Sequence, residues 1–427
     1  MKFVSTRGGD ALTLSEAMLA GIAPDGGLFV PDRLPRASLA DFPRAASLPA
    51  LAGQILAPFA AGDALEAELR AICAEAFDFP APLLPLDRGA HVLELFHGPT
   101  CAFKDFGARF MASAMSHVVR PRERKLTILV ATSGDTGGAV AAAFHRRPSI
   151  DVVLLYPRGL VSARQAQQLA CWDGNVRTFA VRGTFDDCQR LVKEAFRDPA
   201  VATTHELSSA NSINVARLLP QMVYYAAASL EVWHSQGRPA NFIVPSGNLG
   251  NVTAAVWARE IGLPIGDIVL ATNANRTVTE FFESGTWRPR ASVATLASAM
   301  DVGDPSNMER LRALFPGRLP DRLSAQLVTD EQIRTTIRRD AEALGYVWDP
   351  HGATAGHVFR QLPEQRLDEP WVLAETAHPA KFNEIVEPLI GREIPVPPAL
   401  ARLLSLPRRE VEIDPTLDAL RAAAFSR

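Results

Sequence analysis

The sequence predicts an α/β protein with open, twisted, mostly parallel sheets and flanking helices in two lobes, preceded by a small, mostly helical N-terminal domain. Three observations support this prediction. Short apolar runs alternate with amphipathic helical segments over most of the chain. Glycine-rich turns join several of these runs directly to the next helix. The length of 427 residues is enough for about two or three domains with large cores.

The N-terminal part of the chain, residues 1–85, is expected to form the small domain. Residues 47–60 and 63–77 carry apolar side chains at helical spacing. The proline-rich residues 78–89 follow them, and such a stretch is typical of a linker. Residues 86–427 are then expected to form the two α/β lobes, with a site between them.

Beyond the proline-rich stretch, strands and helices are expected to alternate. The apolar runs lie within residues 125–134, 150–157, 175–183, 241–251, 267–275 and 371–382. The helical segments lie within residues 137–147, 185–198, 252–262 and 330–345. Runs of this length between helices are typical of parallel strands that are buried on both faces.

The composition excludes several classes of protein. Hydrophobic residues make up 47% and charged residues 21% of the chain, and the formal net charge is −3. Because no long basic run occurs, nucleic acid and anionic membranes are poor partners. The four cysteines have no CxxC spacing, so neither a disulfide framework nor a metal site is predicted. The chain shows no signal peptide and no apolar run long enough to span a bilayer, so we expect a cytoplasmic protein.

Lysine is scarce in this chain. Of the 44 Lys and Arg residues, only five are lysines: Lys2, Lys104, Lys125, Lys193 and Lys381. A lysine retained where arginine fills most cationic roles is favoured to do what arginine cannot, such as bonding covalently to an aldehyde. Nucleotide bias in the coding sequence would leave the same pattern, so both explanations stand.

One of these lysines, Lys104, lies between Phe103 and Phe106, shortly after a turn at Gly98. A cation in apolar surroundings is costly unless it is used or satisfied. Desolvation lowers the pKa of a buried amine, and the neutral amine can attack an aldehyde. Two ordinary interpretations also fit: the lysine stem lies over apolar surface, or its amine pairs with Asp105.

Residues 244–251 join a predicted strand to a predicted helix, with glycines at positions 247 and 250. Free N–H groups at the start of such a helix attract an anion. The loop lacks the GK[ST] ending of a nucleotide-binding loop, so a small phosphate held by backbone amides fits it better. An ordinary strand–helix turn, with glycines for packing, fits the pattern equally well.

Two further loops have polar groups at comparable places. Residues 131–140 carry hydroxyls that include Ser133 and Thr136, which either bind an anion or cap the following helix. Residues 211–217 combine Asn, Ser and Arg217. They either bind a second anion or form a capped helix with a surface arginine.

A fourth loop follows the last predicted strand. It contains Thr376, His378 and Lys381, and it also reads as a simple turn broken by Pro379. A phosphate-binding loop without a nucleotide signature, combined with a sequestered lysine, suggests pyridoxal phosphate as the cofactor.

Taken together and in this order, the motifs resemble those of the threonine synthase family. They are HGPTCAFKDFG, SGDTGGA, NSINVAR, PSGNLGN, SAMDVGDPSNMER and TAHPAKF, with STRG and APDGGLFVP near the N-terminus. The resemblance covers nearly the whole chain and favours the bacterial and fungal subgroup. It implies the fold of the tryptophan-synthase-β-like group of pyridoxal phosphate enzymes.

The resemblance also implies roles for particular residues. Lys104 would be the Schiff-base lysine that also moves protons. The other cofactor contacts would be Asp135, Gly247, Asn248, Leu249, Gly250, Asn251 and Thr376. The substrate contacts would be Ser133, Thr136, Ser212, Asn214, Arg217, Ser306 and Asn307.

Two of these implied contacts leave alternatives open. Asp135 stands where many relatives in the wider group have Asn facing the phenolic oxygen of the cofactor. A carboxylate there would repel a phenolate unless one of the two is protonated. The hydroxyl of Thr376 would face the pyridine nitrogen, and the neighbouring Glu375 is an alternative partner for that nitrogen.

The implied reaction converts O-phospho-L-homoserine and water to L-threonine and phosphate, the last step of threonine biosynthesis. The implied protein is a monomer or a homodimer that acts on a small molecule. A related pyridoxal phosphate lyase, acting on another hydroxy or phosphorylated amino acid or amine, is the alternative within the same class. A non-catalytic binding protein with this fold is the alternative from another class.

Overall fold

The computed structural model of the protein describes residues 1–44, 46–119 and 125–425. Its strands are β1 (Phe3–Ser5), β2 (Phe29–Pro31), β3 (Leu83–Pro85), β4 (His91–Glu94), β5 (Lys125–Ala131), β6 (Ile150–Pro157), β7 (Val176–Val181), β8 (His205–Ser208), β9 (Ala240–Pro245), β10 (Ile265–Thr272), β11 (Leu323–Leu327), β12 (Trp371–Glu375) and β13 (Glu410–Ile413).

The α-helices account for most of the remaining regular structure. They are α1 (Leu14–Ala20), α2 (Leu48–Ala60), α3 (Leu69–Ala76), α4 (Lys104–Val118), α5 (Asp135–Phe144), α6 (Ala163–Ala170), α7 (Phe185–Arg197), α8 (Pro199–Thr204), α9 (Val215–Leu218), α10 (Met222–Gln236), α11 (Gly250–Glu260), α12 (Thr277–Ser284), α13 (Met308–Leu314), α14 (Asp330–Ala343), α15 (Gly352–Arg360), α16 (Asn383–Ile390), α17 (Pro398–Leu404) and α18 (Leu417–Leu420).

Two large sheets organise the molecule. One has the strand order β11-β10-β9-β12-β4-β3, and all of its pairs except β3–β4 are parallel. The other has the order β13-β7-β6-β5-β8 and is parallel throughout. Every residue of β9 and β12 is buried, as expected for parallel strands that are covered on both faces. The predicted α/β fold is confirmed.

The N-terminal part packs directly onto the α/β region. Its strands β1 and β2 form a small antiparallel pair, and α1 to α3 follow them. Phe3, Met18 and Phe59 belong to the same continuous hydrophobic core as Phe106 and Tyr224. The domain boundary at residue 85 stays a prediction.

The proline-rich stretch is not a structureless linker. It contains β3, which pairs antiparallel with β4 at the edge of the larger sheet. A proline lacks the N–H group for a sheet hydrogen bond, so a strand that contains Pro85 is tolerated at an edge. Among the described residues, the helices are too short or too polar to cross a membrane. All four cysteines are buried and free.

Candidate active site

Five loops meet where neighbouring parallel strands end. In the larger sheet, β9, β12 and β4 lie side by side, and the segments that follow them carry residues 246–249, Thr376 and Lys104. In the smaller sheet, β5 and β8 are neighbours, and they lead into residues 132–134 and 209–214. The carboxyl ends of parallel strands are the usual ligand-binding edge of open α/β sheets. A cavity of about 1190 Å³ opens beside these loops.

The turn before Lys104 is built around the carboxylate of Asp105. This group accepts hydrogen bonds from the backbone N–H of Thr100, at 2.8 Å, and from its hydroxyl, at 2.6 Å. A Cβ atom at Gly98 would lie 2.5 Å from Asp105 Oδ2, so only glycine fits there. Asp105 is therefore engaged by the turn, and the expected alternative of a Lys104–Asp105 pair is not observed.

Lys104 is the first residue of α4, and its side chain is 14% exposed. Its Nζ atom lies 4.9 Å from the centre of the Phe103 ring and 3.8 Å from Asp135 Oδ2. The second distance is too long for a hydrogen bond. Burial lowers the pKa of the Lys104 amine, although the carboxylate of Asp135 acts in the opposite direction. The neutral, nucleophilic form of this amine is therefore reached more easily than in a free lysine.

Asp135 is the first residue of α5 and is buried. Its Oδ1 atom accepts hydrogen bonds from Gln165 Nε2 at 2.9 Å and faces Lys381 Nζ at 2.9 Å. Burial alone would raise the pKa of Asp135, but Lys381 and Lys104 outweigh burial and hold it well below its ordinary value. Asp135 is therefore a carboxylate anion between two lysines.

The loop after β9 is shaped to expose backbone N–H groups. Leu249 has a left-handed backbone, with φ of 60°, directly before α11 begins at Gly250. The side-chain amide of Asn251 donates to Pro245 O at 2.8 Å and its oxygen accepts from Ser246 Oγ at 2.5 Å, which fixes the loop from below. At Gly247, an added Cβ atom would lie 2.6 Å from Met300 Cα. The predicted strand–loop–helix geometry is present, and phosphate binding by this loop stays a prediction.

Asn248 links this loop to the loop after β8. Its Nδ2 atom donates to Ser212 Oγ at 2.5 Å, and its Oδ1 atom accepts from the backbone of Ser306 at 2.6 Å. Asn307 is wholly buried and donates to Asn248 O at 2.9 Å. Three separately predicted site residues, Ser212, Ser306 and Asn307, are thus brought together with Asn248.

A fully buried arginine, Arg310, holds this group of loops to the N-terminal part. Its guanidinium donates to Phe29 O at 3.0 Å, Ser212 O at 3.1 Å, Ile213 O at 2.5 Å and Asn307 Oδ1 at 2.6 Å. The role of Arg310 cannot be predicted from the sequence. Its N–H donors find their acceptors only when the fold brings distant backbone carbonyls together around it.

The residues of the 211–217 segment are mostly engaged by the protein. Asn214 is wholly buried, caps α9 and donates to Met18 O at 2.8 Å. Arg217 is 3% exposed, donates to Ala210 O, and has no acceptor for its Nε atom among the described residues. Burial lowers the pKa of Arg217 to about 10. The structure places Ser212 at the cavity, whereas Arg217 packs against Gly107 of α4 and is not among the described residues that line the cavity.

In the loop after β5, the hydroxyl groups divide into two kinds. Thr132 Oγ1 accepts from the backbone N–H groups of Gly134 and Gly137, at 3.0 and 2.9 Å, and so caps α5. Ser133 and Thr136 line the cavity. The capping interpretation therefore holds for Thr132, whereas anion binding by Ser133 and Thr136 stays a prediction.

Glu375 and Thr376 lie at the end of β12, where side chains alternate between faces. Glu375 accepts from the backbone N–H of Asp349 at 2.8 Å and packs so tightly on Gly352 that a Cβ atom there would overlap it. Burial raises the pKa of Glu375 well above its ordinary range. Thr376 O accepts from Phe103 N at 2.8 Å, which ties Thr376 to the segment that carries Lys104.

Comparison with known proteins agrees with this architecture. A family model described as "Pyridoxal-phosphate dependent enzyme" matches residues 76–374. Models described as "Threonine synthase N terminus" and "Threonine synthase, C-terminal" match residues 2–77 and 352–423. The chain is 41% identical over 418 residues to threonine synthase of Haemophilus influenzae, covering 97% of this chain and 96% of the relative. It is 40% identical over 417 residues to the Escherichia coli enzyme, covering 96% of each.

Solved structures give the same result. The crystal structure of threonine synthase from Escherichia coli superposes with a TM-score of 0.91 at 39% identity and covers 99% of both chains. Threonine synthase from Brucella melitensis with bound pyridoxal phosphate gives 0.90 at 34% identity and covers all of both chains. Maize serine racemase, at 17% identity and a TM-score of 0.51 over 70% of this chain, shares the fold alone.

The three matching models together span almost the whole chain, and the relatives match it from end to end. The resemblance noted in the sequence is therefore confirmed, and so is the cofactor it implied. The chain belongs to the threonine synthase family of pyridoxal-phosphate-dependent enzymes.

Proposed function

We propose that this enzyme converts O-phospho-L-homoserine and water to L-threonine and phosphate. The observation that supports the proposal most is the position of Lys104: a largely buried amine 3.8 Å from Asp135, at the meeting point of loops from two sheets. The reaction requires an amine that bonds an aldehyde and moves protons, and two sites for phosphate groups. We place each requirement on particular residues below.

The residues present fit pyridoxal phosphate. Lys104 offers a desolvated amine for which the described part of the chain provides no hydrogen-bond partner. The loop of Gly247, Asn248, Leu249, Gly250 and Asn251 offers N–H groups at the start of α11 for the cofactor phosphate, and the crowding at Gly247 shows how closely this loop is packed. When bound, the cofactor supplies a conjugated ring that withdraws electrons from the substrate carbons.

Lys104 carries the proton transfers in this proposal. The amine of Lys104 would accept the proton from Cα and, after handing that proton on, a second one from Cβ. Phosphate leaves from Cγ, one proton returns to Cγ to form the methyl group, the hydroxyl group of water adds at Cβ, and the other proton returns to Cα, while the remaining proton of water goes to the phosphate. The lowered pKa of Lys104 supports this role because a base must be unprotonated when it acts.

Thr376 is proposed to face the pyridine nitrogen. Its side chain follows the face of β12 opposite to Glu375, whose Oε1 accepts from Asp349 N while its Oε2 has no hydrogen-bond partner among the described residues. A hydroxyl donor leaves a pyridine nitrogen mostly unprotonated, whereas a carboxylate would hold a proton there.

The substrate is proposed to bind between the loops after β5 and β8. Ser133 and Thr136 line the cavity on one side, and Ser212 and Ser306 line it on the other. Asn214, Arg217 and Asn307 complete the proposed set. Because these last three are buried, we assign them to the inner end of the site, where Arg217 Nε still lacks an acceptor. We also propose that the enzyme acts in the cytoplasm, as a monomer or homodimer, and without nucleic acid.

The proposal is tested by supplying O-phospho-L-homoserine to the enzyme loaded with pyridoxal phosphate. We expect phosphate and threonine in equal amounts. Lys104→Ala should abolish both products together with the visible absorption of the bound cofactor, whereas Lys2→Met, which changes an exposed lysine, should alter neither. Phosphate release without threonine would contradict the proposal and favour a related lyase.

A further inference from the structure

Two of the five lysines face one carboxylate. Lys381 Nζ lies 2.9 Å from Asp135 Oδ1, and Lys104 Nζ lies 3.8 Å from Asp135 Oδ2. The side chain of Lys381 is 0% exposed and that of Asp135 is 2% exposed. The family resemblance gave a role to Lys104 and a question about Asp135, and it assigned nothing to Lys381.

The ammonium group of Lys381 is held in one place. Besides facing Asp135, it donates to Thr100 O at 2.8 Å. The same carbonyl accepts from Gln168 Nε2 at 3.0 Å, and the Thr100 N–H and hydroxyl groups are bound by Asp105. The turn that precedes Lys104 therefore also fixes Lys381.

We propose that Lys381 is a positioning residue of the cofactor site, whose ammonium group allows a carboxylate, Asp135, to stand beside Lys104 and the cofactor's phenolic oxygen. The two side chains form one neutral unit. Oδ1 of Asp135 is anchored by Lys381 and Gln165, and Oδ2 is left facing Lys104. This deepens the proposed function, because it rests on Lys104 being the residue that bonds the cofactor.

The charge balance explains why Lys381 is needed. A lone buried carboxylate is costly and tends to take up a proton. Beside a phenolate, it would add repulsion between like charges. A cation 2.9 Å away offsets both effects. Where relatives in the wider group have a neutral Asn, this chain has a neutral ion pair, so the total charge at the position is the same.

The unit also sets how firmly the nitrogen of Lys104 holds a proton. The anion of Asp135 favours the proton and the cation of Lys381 disfavours it. The other charged groups that influence Lys104 are Arg217, which disfavours the proton, and Asp349, which favours it. Removing Lys381 and removing Asp135 should therefore change the same quantity in opposite directions.

The test uses the enzyme loaded with pyridoxal phosphate and three variants: Lys381→Met, Asp135→Asn and the double variant. The absorption of the bound cofactor is recorded against pH, since it reports protonation of the nitrogen shared with Lys104. We expect the midpoint to rise by about one pH unit in Lys381→Met and to fall by about one unit in Asp135→Asn. The double variant should lie between them, and Lys2→Met should match the unchanged enzyme.

Midpoints that shift in the same direction, or no shift in either single variant, would overturn the inference. A purely structural role of Lys381 gives no reason for the two midpoints to move in opposite directions. If Lys381→Met does not fold, thermal unfolding of the other two variants decides. In Asp135→Asn, the ammonium group of Lys381 is left without its carboxylate partner. The double variant lacks that ammonium group and should therefore unfold at a higher temperature than Asp135→Asn. A lower unfolding temperature of the double variant would overturn the inference. A Lys104→Ala variant that keeps the wild-type absorption would overturn the proposed function, and this inference with it.

Discussion

The loop after β9 and the loop after β5 have the same strand–loop–helix arrangement, but they differ in charge: the first is neutral and the second is acidic. Each leads from a buried parallel strand into a helix, α11 or α5. The first turn of α11 has no acidic residue, so this helix N-terminus carries no negative charge of its own, although Asn251 Oδ1 accepts from Val252 N at 2.9 Å. The first turn of α5 begins with Asp135, which occupies the favourable position for negative charge at a helix N-terminus.

The comparison shows that loop shape alone does not decide what a strand–helix junction binds. The neutral loop can accept a doubly charged phosphate because it adds no charge of its own. The acidic loop already contains its anion and instead gathers cations, Lys381 and Lys104. Under the proposed function, the carboxylate of Asp135 in one loop and the amide of Asn248 in the other would separate phosphate binding from control of the reactive lysine.

Transferring the carboxylate to the neutral loop should have the largest effect. In Asn248→Asp, the new charge would face the cofactor phosphate, and like charges at such range cost several kcal/mol. The Kd for pyridoxal phosphate should rise about 1000-fold, or about 4 kcal/mol. Equilibrium titration of the apoprotein measures it. Asn248→Ser, which loses the amide without adding charge, serves as the matched control, and equal losses in both variants would contradict the electrostatic explanation.

Removing Arg310, which reaches the neutral loop indirectly, through Asn307, should come next. In Arg310→Met, the backbone carbonyls of Phe29, Ser212 and Ile213 lose their donor in a buried place. We expect the free energy of unfolding to fall by about 3 kcal/mol. Denaturant unfolding measures the loss. Arg318→Met changes an exposed arginine whose side chain is 83% accessible and should cost almost nothing. If both variants were equally stable, Arg310 would not hold the loops.

The same small change in each loop should give different results. In Gly247→Ala, the new methyl group meets the backbone of Met300 at 2.6 Å, and the Kd for pyridoxal phosphate should rise about 30-fold, or about 2 kcal/mol. In Gly134→Ala, it meets the side chain of Gln165 and should disturb Asp135 more than phosphate binding. Gly237→Ala, at an open site after α10, should leave cofactor binding unchanged. Equal effects at Gly134 and Gly247 would erase the proposed difference between the loops.

The smallest expected effect concerns pH. Burial lowers the pKa of the Lys104 amine from its ordinary value of 10.5, so its reactive, unprotonated form is present at lower pH than for a free lysine. The rate at which apoprotein bonds pyridoxal phosphate should rise with pH and level off below pH 10.5. Stopped-flow absorption measures this rate. A midpoint at or above that of a free lysine would show that the acidic loop outweighs burial.

Local patterns predicted most of the α/β framework. Buried strands such as β6 and β9 are continuous apolar runs, and α7 shows both helical spacing and a capping box at Thr184. The sequence did not predict β13, because its four residues are mostly exposed and join the smaller sheet only through a partner far away in the chain. The edge strand β3 was not predicted either, because it lies in the proline-rich stretch that was interpreted as a linker.

The site shows the same division between local and distant information. Glycine placement predicted the two strand–helix loops, and lysine scarcity drew attention to Lys104 and Lys381. The partner of Asp135 could not be predicted, because Lys381 lies 246 positions away and meets it only after both sheets have formed. The four carbonyl and amide contacts of Arg310 are equally nonlocal.

Two lysines flank one carboxylate, and we assign the covalent bond to only one of them. Borohydride reduction of the loaded enzyme, followed by proteolysis and mass analysis of the peptides, tests that assignment directly. We expect the reduced pyridoxyl group on Lys104 and an unmodified Lys381. A modified Lys381 with an unmodified Lys104 would contradict both the proposed chemistry and the division of roles between the two loops.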